Sequence, residues 1–302
     1  MRFLKKLKSR AFQAKLAVQN LNQHLPFIKD KTCILVDSVD ELLREIRFSS
    51  PNTSFRPYRA TYDSSGTIKL PAVPQPYVAN NMENTLEELM KVVPKACALW
   101  TECQKEGLET YLADPKHNLS VAGHPLAELF RAFVKPYLEG YVLDIGCGTQ
   151  DVPYYLSHHP LEYIAGIDPL PPTETHPFAF SQALAERLPW PDDTFHRVTV
   201  ATSLDHMILL DQAFNEVKRV LKPGGFFIAW VGFLPKAAPY DPYSPDLKRI
   251  DPCHIFHFDR RGFEKVIKDH FDIQHCYEVF YQKEKEIFDC FYLLSPKKNV
   301  SK

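Results

Sequence analysis

The sequence predicts an α/β fold in which a doubly wound, mostly parallel sheet ends in an antiparallel pair of strands. From about residue 115 onward, short apolar runs alternate with amphipathic segments, a pattern typical of strand–helix–strand units. The apolar run FFIAWVGF carries no charge, as expected of a strand that is buried on both faces. Two extended runs separated by charged residues follow near the C-terminus, which favours a final antiparallel pair at the sheet edge.

The first third of the sequence predicts an α+β N-terminal extension over residues 1–112. CILVDSVDELLREI indicates a strand and a helix, and FRPYRATYDSSGTIKL indicates a hairpin. In NTLEELMKVV, Thr85 and Glu88 have the spacing of a capping box, and Pro94 should kink or end that helix. A second helix is expected from about Lys95 to Leu112.

The N-terminal stretch MRFLKKLKSRAFQAK has six basic residues and no acidic one. A basic helix packed on its own domain is the first interpretation. The alternatives are weak contact of residues 1–15 with an anionic membrane surface, and a mitochondrial presequence. No apolar segment follows the charges, so a secretory signal is not indicated.

The elements of residues 113–302 follow from their periodicity. The predicted helices are HPLAELFRAFVKPYLEG, DVPYYLSH, which should begin near Asp151, and DQAFNEVKRVL. The predicted strands are YVLDIG, YIAGID, HRVTVAT and FFIAWVGF. This second domain therefore has the alternation that builds a parallel sheet.

Composition excludes several classes of protein. The apolar fraction of 45% and the charged fraction of 24% are ordinary for a globular protein. The formal net charge of -1 provides no overall field for nucleic acid, and no apolar run reaches the roughly 18 residues that span a bilayer. Seven scattered cysteines without a CxxC pair favour buried thiols in a reducing, cytoplasmic compartment.

A glycine turn after the first predicted strand indicates a ligand site. Gly146 and Gly148 let the backbone approach a ligand closely at the carboxyl end of a parallel strand. Asp168 ends the next strand, where an acid accepts hydrogen bonds from ribose hydroxyls. Asp151 stands where a dinucleotide site would need a third glycine, and its charge would repel a pyrophosphate. We therefore expect a nucleoside ligand without phosphates.

These motifs resemble those of the class I S-adenosylmethionine-dependent methyltransferases that act on small molecules. VLDIGCGTQ, GIDP, AERLPWPDDTFHRVTVATSLDHM and AFNEVKRVLKPGGFFIAW are similar to the family's motifs in order and spacing. The resemblance covers residues 120–295 and implies a Rossmann-like, doubly wound domain over residues 113–302, with S-adenosyl-L-methionine as cofactor.

The resemblance also implies a set of cofactor contacts. Asp144 and the glycine turn would hold the methionine end, Asp168 the ribose, and the Ala185 backbone the adenine. Leu184 stands where the family often has an adenine-binding acid, so Glu186 is a possible substitute. His196 stands where the family has a mostly structural aspartate. The full set is Asp144, Gly146, Cys147, Gly148, Asp168, Pro169, Ala185, Glu186 and Ser203.

Catalytic candidates follow the strand HRVTVAT. In TSLDHM, His206 is the first candidate for a general base and Asp205 is a possible orienting group. The alternative is that His206 caps or packs the following loop.

Acceptor contacts are expected further along the chain. DPCHIFHF contains His254 and His257, which would contact substrate or simply pack. Together with Asp251 they are only weak evidence for a metal site, and we expect none. Tyr240 and Tyr243, in a Pro-rich and Tyr-rich insertion, would stack on a flat or sugar-like acceptor, or belong to a solvated connector.

The sequence thus predicts a methyltransferase that transfers a methyl group to an oxygen or nitrogen of a small molecule. An RNA methyltransferase is the rival enzyme, although the near-neutral charge disfavours a nucleic-acid partner. The rival from another class is an inactive methyltransferase fold that serves as a binding or scaffold protein.

Overall fold

The computed structural model describes residues 70–113, 121–172, 175–235, 237–282 and 287–297. The basic N-terminal helix, the first strand and helix, and almost all of the hairpin expected from the sequence lie outside these residues. The described helices are α1 Met82–Met90, α2 Pro94–Ala113, α3 Pro125–Val134, α4 Leu210–Val220 and α5 Arg260–His270. Among them, none is both long and apolar enough to cross a membrane.

Seven strands form one sheet. They are β1 Val142–Ile145, β2 Ile164–Asp168, β3 Ala179–Gln182, β4 Phe195–Ala201, β5 Leu221–Phe233, β6 Phe271–Gln282 and β7 Ile287–Pro296. Their spatial order is β3-β2-β1-β4-β5-β7-β6. The first five are parallel, and β7 runs antiparallel to β5. The predicted mostly parallel sheet with a terminal antiparallel pair is confirmed.

Helices cover both faces of the sheet, as a doubly wound fold requires. On one face, Phe130 of α3 lies 5.4 Å from Trp230 of β5 and 5.1 Å from Phe291 of β7, measured between ring centroids. On the other face, Phe214 of α4 lies 6.1 Å from Phe227 of β5. Every residue of β1, β2 and β4 is buried between these layers, which explains why apolar residues predominate in these strands.

The predicted helix after the glycine turn is wrong. Only a single 3₁₀ turn, Tyr154–Leu156, follows β1. Pro153 precedes it, and Pro160 caps a second short 3₁₀ turn, Leu161–Tyr163. Both prolines lack an amide hydrogen, so a longer helix cannot form between them and β2. The helix N-terminus expected near Asp151 therefore does not exist.

The predicted capping box of α1 is also wrong. Asn81 is the N-cap residue, and the Asn80 side chain accepts a hydrogen bond from the Met82 amide. The Thr85 hydroxyl donates to the Asn81 carbonyl at 2.9 Å, so it lies inside the first turn and does not cap it. The helix break at Pro94 is confirmed, because α2 begins at that proline.

The two helices before residue 113 pack with the sheet. Among the described residues, 70–278 and 287–297 fall in one compact unit. The Asn81 amide donates to the Gln182 carbonyl of β3 at 3.1 Å. The Trp100 indole of α2 donates to the His206 carbonyl at 2.7 Å. Helices α1 and α2 therefore belong to the sheet unit, and they place side chains near its ligand-binding edge.

Candidate active site

The glycine turn at the end of β1 is tightly tied to its neighbours. Gly146 has φ +76°, and a Cβ there would lie 2.3 Å from Oγ of Ser203. The Ser203 hydroxyl donates to the Ile145 carbonyl at 3.0 Å, and the Gly146 amide donates to the Ile167 carbonyl at 2.8 Å. Gly148 also has φ +76°. Only glycine suits this left-handed, crowded path, so the turn is fixed before any ligand arrives.

Asp168 at the end of β2 holds the same turn from the other side. Its Oδ2 accepts a hydrogen bond from the Gly148 amide, and its Oδ1 accepts one from the Leu170 amide, both at 2.8 Å. Burial raises the pKa of this carboxyl group to about 6, although the two amides oppose the shift. A carboxylate offers about four acceptor positions, so two remain for ligand hydroxyls.

Asp144 lies beneath the turn and is fully buried. Its carboxylate accepts hydrogen bonds from the Tyr155 hydroxyl at 2.8 Å and from the Thr199 hydroxyl at 2.5 Å. Burial raises its pKa to about 7. The structure thus places Asp144 in an internal cluster, and its contact with the methionine end stays a prediction. Nothing in the sequence, apart from the apolar spacing around it, indicated that Tyr155 would bind Asp144.

The predicted adenine contacts lie beside β3 and α4. Glu186 is buried, and its Oε1 accepts hydrogen bonds from the amides of Ile208 at 2.7 Å and Leu209 at 2.9 Å. Its carboxylate therefore anchors the segment that leads into α4. Ala185 is buried beside it, and the Pro169 carbonyl accepts a hydrogen bond from the Gln182 side chain at 2.8 Å.

Cys147, between the two glycines, points into the protein. It is buried, and its Sγ would lie 3.0 Å from a Cβ added at Gly166. Burial raises its thiol pKa well above the ordinary value. Its side chain therefore packs beneath the turn, and only its backbone faces the ligand edge.

Two separate stretches of sequence meet at the carboxyl edge of β4. The turn Leu204–His206 brings Asp205 and His206 there, and the segment 251–257 brings His254 against them. The ring centroids of His206 and His254 are 4.5 Å apart, and those of His254 and His257 are 4.9 Å apart. We call Asp205, His206, His254 and Asp251 the histidine–aspartate cluster.

His254 is the best-oriented histidine of the cluster. Its Nδ1 lies 2.9 Å from both carboxylate oxygens of Asp251. The amides of Cys253 and His254 donate to Asp251 Oδ1 at 2.8 Å and 2.9 Å, which fixes the carboxylate. Because Asp251 can only accept when it is ionised, Nδ1 carries the proton and Nε2 carries the lone pair.

The expected orientation of His206 by Asp205 is wrong. His206 Nε2 and Asp205 Oδ1 are 4.0 Å apart, which exceeds hydrogen-bonding distance. The His206 ring is instead hydrogen-bonded to the backbone of Cys253, and its own carbonyl accepts from Trp100. Burial lowers the pKa of His206, so the ring is neutral near pH 7.

Tyr111 of α2 lies within electrostatic reach of both halves of the site. Burial and the charges of Asp168, Cys253 and Asp205 together raise its pKa to about 12. The pKa of the tyrosine thus responds to both the acid at the end of β2 and the histidine–aspartate cluster. Its contribution could not be found from the sequence, because α2 was assigned to a separate extension.

The two tyrosines expected to stack on an acceptor lie elsewhere. The Tyr240 hydroxyl accepts from the Leu210 amide and donates to the Ile208 carbonyl, both at 2.9 Å. Its ring packs on Phe256 at 4.7 Å between centroids, so it holds the insertion on α4. Tyr243 is 64% exposed. Neither position supports the stacking role.

A comparison with protein families matches residues 143–229 to the family described as "Methyltransferase domain". This range contains the glycine turn, Asp168, Glu186 and the turn that carries Asp205 and His206. The match therefore covers the cofactor half of the site, and it ends before the segment 251–257 that completes the histidine–aspartate cluster.

Two curated relatives match part of the chain. An uncharacterized methyltransferase, YcgJ of Bacillus subtilis, is 36% identical over 77 residues, which are 25% of this chain and 30% of that protein. The ubiquinone/menaquinone biosynthesis C-methyltransferase UbiE of Bordetella avium is 47% identical over 64 residues, 20% of this chain and 25% of that protein. The aligned stretches thus span less than a third of either relative.

Solved structures share the fold. The 1,6-didemethyltoxoflavin-N1-methyltransferase of Burkholderia thailandensis, solved with S-adenosylhomocysteine, has a TM-score of 0.51 at 14% identity, over 66% of this chain and 89% of that one. At this identity the likeness concerns the fold alone. Together with the family match over residues 143–229 and the motifs at β1, β2 and β4, it leads to one conclusion: the chain contains a methyltransferase domain with the class I S-adenosylmethionine-dependent fold.

Proposed function

We propose that this protein transfers a methyl group from S-adenosyl-L-methionine to an oxygen or nitrogen atom of a small-molecule acceptor. The observation that carries the proposal is the placement of the histidine–aspartate cluster at the same sheet edge as the glycine turn and Asp168. Ligands of open parallel sheets bind at this edge. The charges of both Asp168 and Asp205 raise the pKa of Tyr111, which supports a single continuous site.

The cofactor half would hold a nucleoside by fixed backbone and carboxylate groups. The turn at Gly146 and Gly148 leaves room for a ligand next to the backbone, and Asp168 would accept hydrogen bonds from the ribose. S-adenosyl-L-methionine supplies an already reactive sulfonium methyl group. The chain therefore needs mainly to align the acceptor with it, and such positioning supplies about 7–11 kcal/mol.

The acceptor half supports oxygen or nitrogen methylation. A hydroxyl or protonated amine must lose a proton as it is methylated, and neutral imidazole is suited to that near pH 7. His206 provides such a ring, and the centroid of the His254 ring lies 4.5 Å from it. The net charge of -1 gives no support to RNA as the acceptor.

The test is an acceptor screen with donor labelled in the methyl group, followed by mass measurement of the product. We expect transfer to a hydroxyl or amine compound, and a product heavier by one CH₂ unit, because a methyl group replaces a hydrogen. The screen includes quinol-type carbon acceptors, because the UbiE relatives are named C-methyltransferases. A carbon-methylated product would contradict the oxygen or nitrogen assignment while leaving methyl transfer intact.

Cofactor affinity should depend on pH through Asp168. Its pKa of about 6 means that the carboxylate is ionised above this pH and protonated below it. Only the ionised form has its full capacity to accept from ribose hydroxyls, so affinity should be constant near pH 7 and fall below pH 6, by at most about tenfold per pH unit. Calorimetric titrations between pH 5 and 7 measure this.

Asp168→Asn is the matched control, because the amide does not titrate. Its affinity should be weaker and flat across the same range. A wild-type profile as flat as that of the variant would contradict the assignment of Asp168.

His206→Ala should lower turnover and leave cofactor affinity unchanged. The ring packs on His254 at the carboxyl edge of β4, whereas the ribose acid ends β2, so its loss should affect the acceptor step only. Steady-state rates with the identified acceptor and calorimetry with the cofactor separate the two effects. Turnover at the parental rate would show that His206 takes no part in the reaction.

A further inference from the structure

The histidine–aspartate cluster also has the composition and spacing of a metal site. One ligand atom from each of Asp205, His206 and His254 lies within 4.8 Å of the other two. Their side chains are 22%, 27% and 25% exposed, so an ion from solution can reach them. Two imidazoles and one carboxylate form a donor set that divalent transition metals favour.

The distances suit an ion after a small inward movement. His254 Nε2 lies 3.7 Å from Asp205 Oδ2, and His206 Nε2 lies 4.0 Å from Asp205 Oδ1. Ligand atoms around a tetrahedral Zn²⁺ are about 3.4 Å apart, given bonds of 2.0–2.1 Å. The first pair therefore needs to close by about 0.3 Å and the second by about 0.6 Å, movements that side-chain rotation can supply.

Asp251 occupies the place of an outer-shell partner. Metal-binding histidines commonly donate their second ring nitrogen to a carboxylate, which fixes the tautomer and the ring plane. His254 does so: Nδ1 lies 2.9 Å from Asp251, and Nε2 faces Asp205. Because two backbone amides hold Asp251 in turn, the lone pair of His254 is aimed before an ion arrives.

We propose that Asp205, His206 and His254 bind a divalent transition-metal ion, with Asp251 as the positioning residue behind His254. This departs from the expectation of no metal, which considered only the segment 251–257. Asp251, His254 and His257 form a second candidate group. There, however, both rings lie at hydrogen-bonding distance from Asp251 Oδ2, at 2.9 Å and 3.2 Å, and its Oδ1 already accepts from two backbone amides.

The ion would refine the proposed function, on which this step rests. Three protein ligands leave a fourth position open for an acceptor hydroxyl. A bound cation lowers the pKa of that hydroxyl. The acceptor hydroxyl would lose its proton to water. Its oxygen would then bond to the methyl carbon as the carbon–sulfur bond breaks and the electron pair stays on sulfur. His206 would be a ligand in this arrangement, and not the base expected from the sequence.

The experiment titrates chelator-treated full-length protein with Co²⁺, followed by visible absorption, and with Zn²⁺ in competition. Wild type should bind one ion with a visible band typical of low-symmetry Co²⁺. Asp205→Asn and His254→Gln should each lose saturable binding. Asp251→Asn should bind about 10–100-fold more weakly, as loss of an outer-shell partner does. Circular dichroism confirms that each variant is folded.

Two histidines outside the proposed ligand set serve as controls. His158→Ala removes an exposed ring remote in sequence from both groups, and its affinity should equal that of wild type. His257→Ala should change affinity by less than about threefold. The absence of saturable binding by wild type would overturn the proposal. Binding that survives Asp205→Asn but is lost in His257→Ala would also overturn it, because the ion would then lie in the second group.

This titration needs neither the methyl donor nor the methyl acceptor. Its result therefore does not depend on whether the proposed function is correct. A protein that transfers methyl groups and binds no ion would contradict only the metal site. Binding that disappears in Asp205→Asn and weakens in Asp251→Asn, with the two controls unchanged, would establish both the ligands and the positioning role.

Discussion

Gly146→Ala is expected to lower the free energy of unfolding by about 2–5 kcal/mol and to abolish measurable cofactor binding. The left-handed φ of +76° costs a non-glycine residue about 1–2 kcal/mol. The added Cβ would also lie 2.3 Å from Oγ of Ser203, and such overpacking costs about 1–3 kcal/mol more. Since Ser203 donates to the Ile145 carbonyl, it cannot move without breaking that bond. Urea denaturation measures the change.

Gly224→Ala is the matched control. Gly224 has φ +81°, and a Cβ there meets no heavy atom within 4 Å. The Gly224→Ala variant should lose only about 1–2 kcal/mol of unfolding free energy, the cost of the left-handed backbone, and should keep normal cofactor affinity. Equal losses in the two variants would contradict the crowding at Ser203.

Glu186→Ala should lower the free energy of unfolding by about 3–6 kcal/mol. The substitution leaves the buried amides of Ile208 and Leu209 without an acceptor, and hydrogen bonds to a charged group contribute about 1.5–3 kcal/mol each. The segment before α4 should loosen as a result. Hydrogen exchange at these two amides and thermal denaturation check the two consequences.

Glu186→Gln separates anchoring from adenine binding. The amide keeps an acceptor oxygen of the same reach, so it should lose much less stability than the alanine variant. If Glu186 is only an anchor, the glutamine variant should bind the cofactor with parental affinity. A large loss of affinity with unchanged stability would instead support the adenine contact implied by the family resemblance.

Most of the strands could be located from the sequence because each contains a short run dominated by apolar residues. β1 and β2 lie within the predicted stretches and β4 overlaps its stretch, whereas β5 ends with FFIAWVGF but begins five residues earlier, at Leu221. β3 was missed, because its four residues, AFSQ, are half polar and form the outer strand beside β2. The prediction of a helix after β1 was wrong for a local reason, because Pro153 and Pro160 leave space for only single turns.

The site was only partly predictable, because its two halves meet through tertiary structure. The glycine turn and Asp168 are neighbours across adjacent strands, so motif spacing locates them. The pairing of His254 with Asp205 is different, since nothing in TSLDHM or DPCHIFHF shows that these stretches meet. For the same reason, Tyr111 could not be predicted as part of the site, because only the packing of α2 on the sheet unit brings it near Asp168.

Titration of S-adenosyl-L-methionine into the wild-type protein and the Asp168→Ala variant, followed by calorimetry, tests the central claim most directly. Wild type should bind one donor molecule. The variant should bind about 10- to 150-fold more weakly, the equivalent of a lost charged hydrogen bond. Circular dichroism verifies its fold. No heat with wild type, or equal affinity in the two proteins, would contradict the assignment of this sheet edge as the cofactor site.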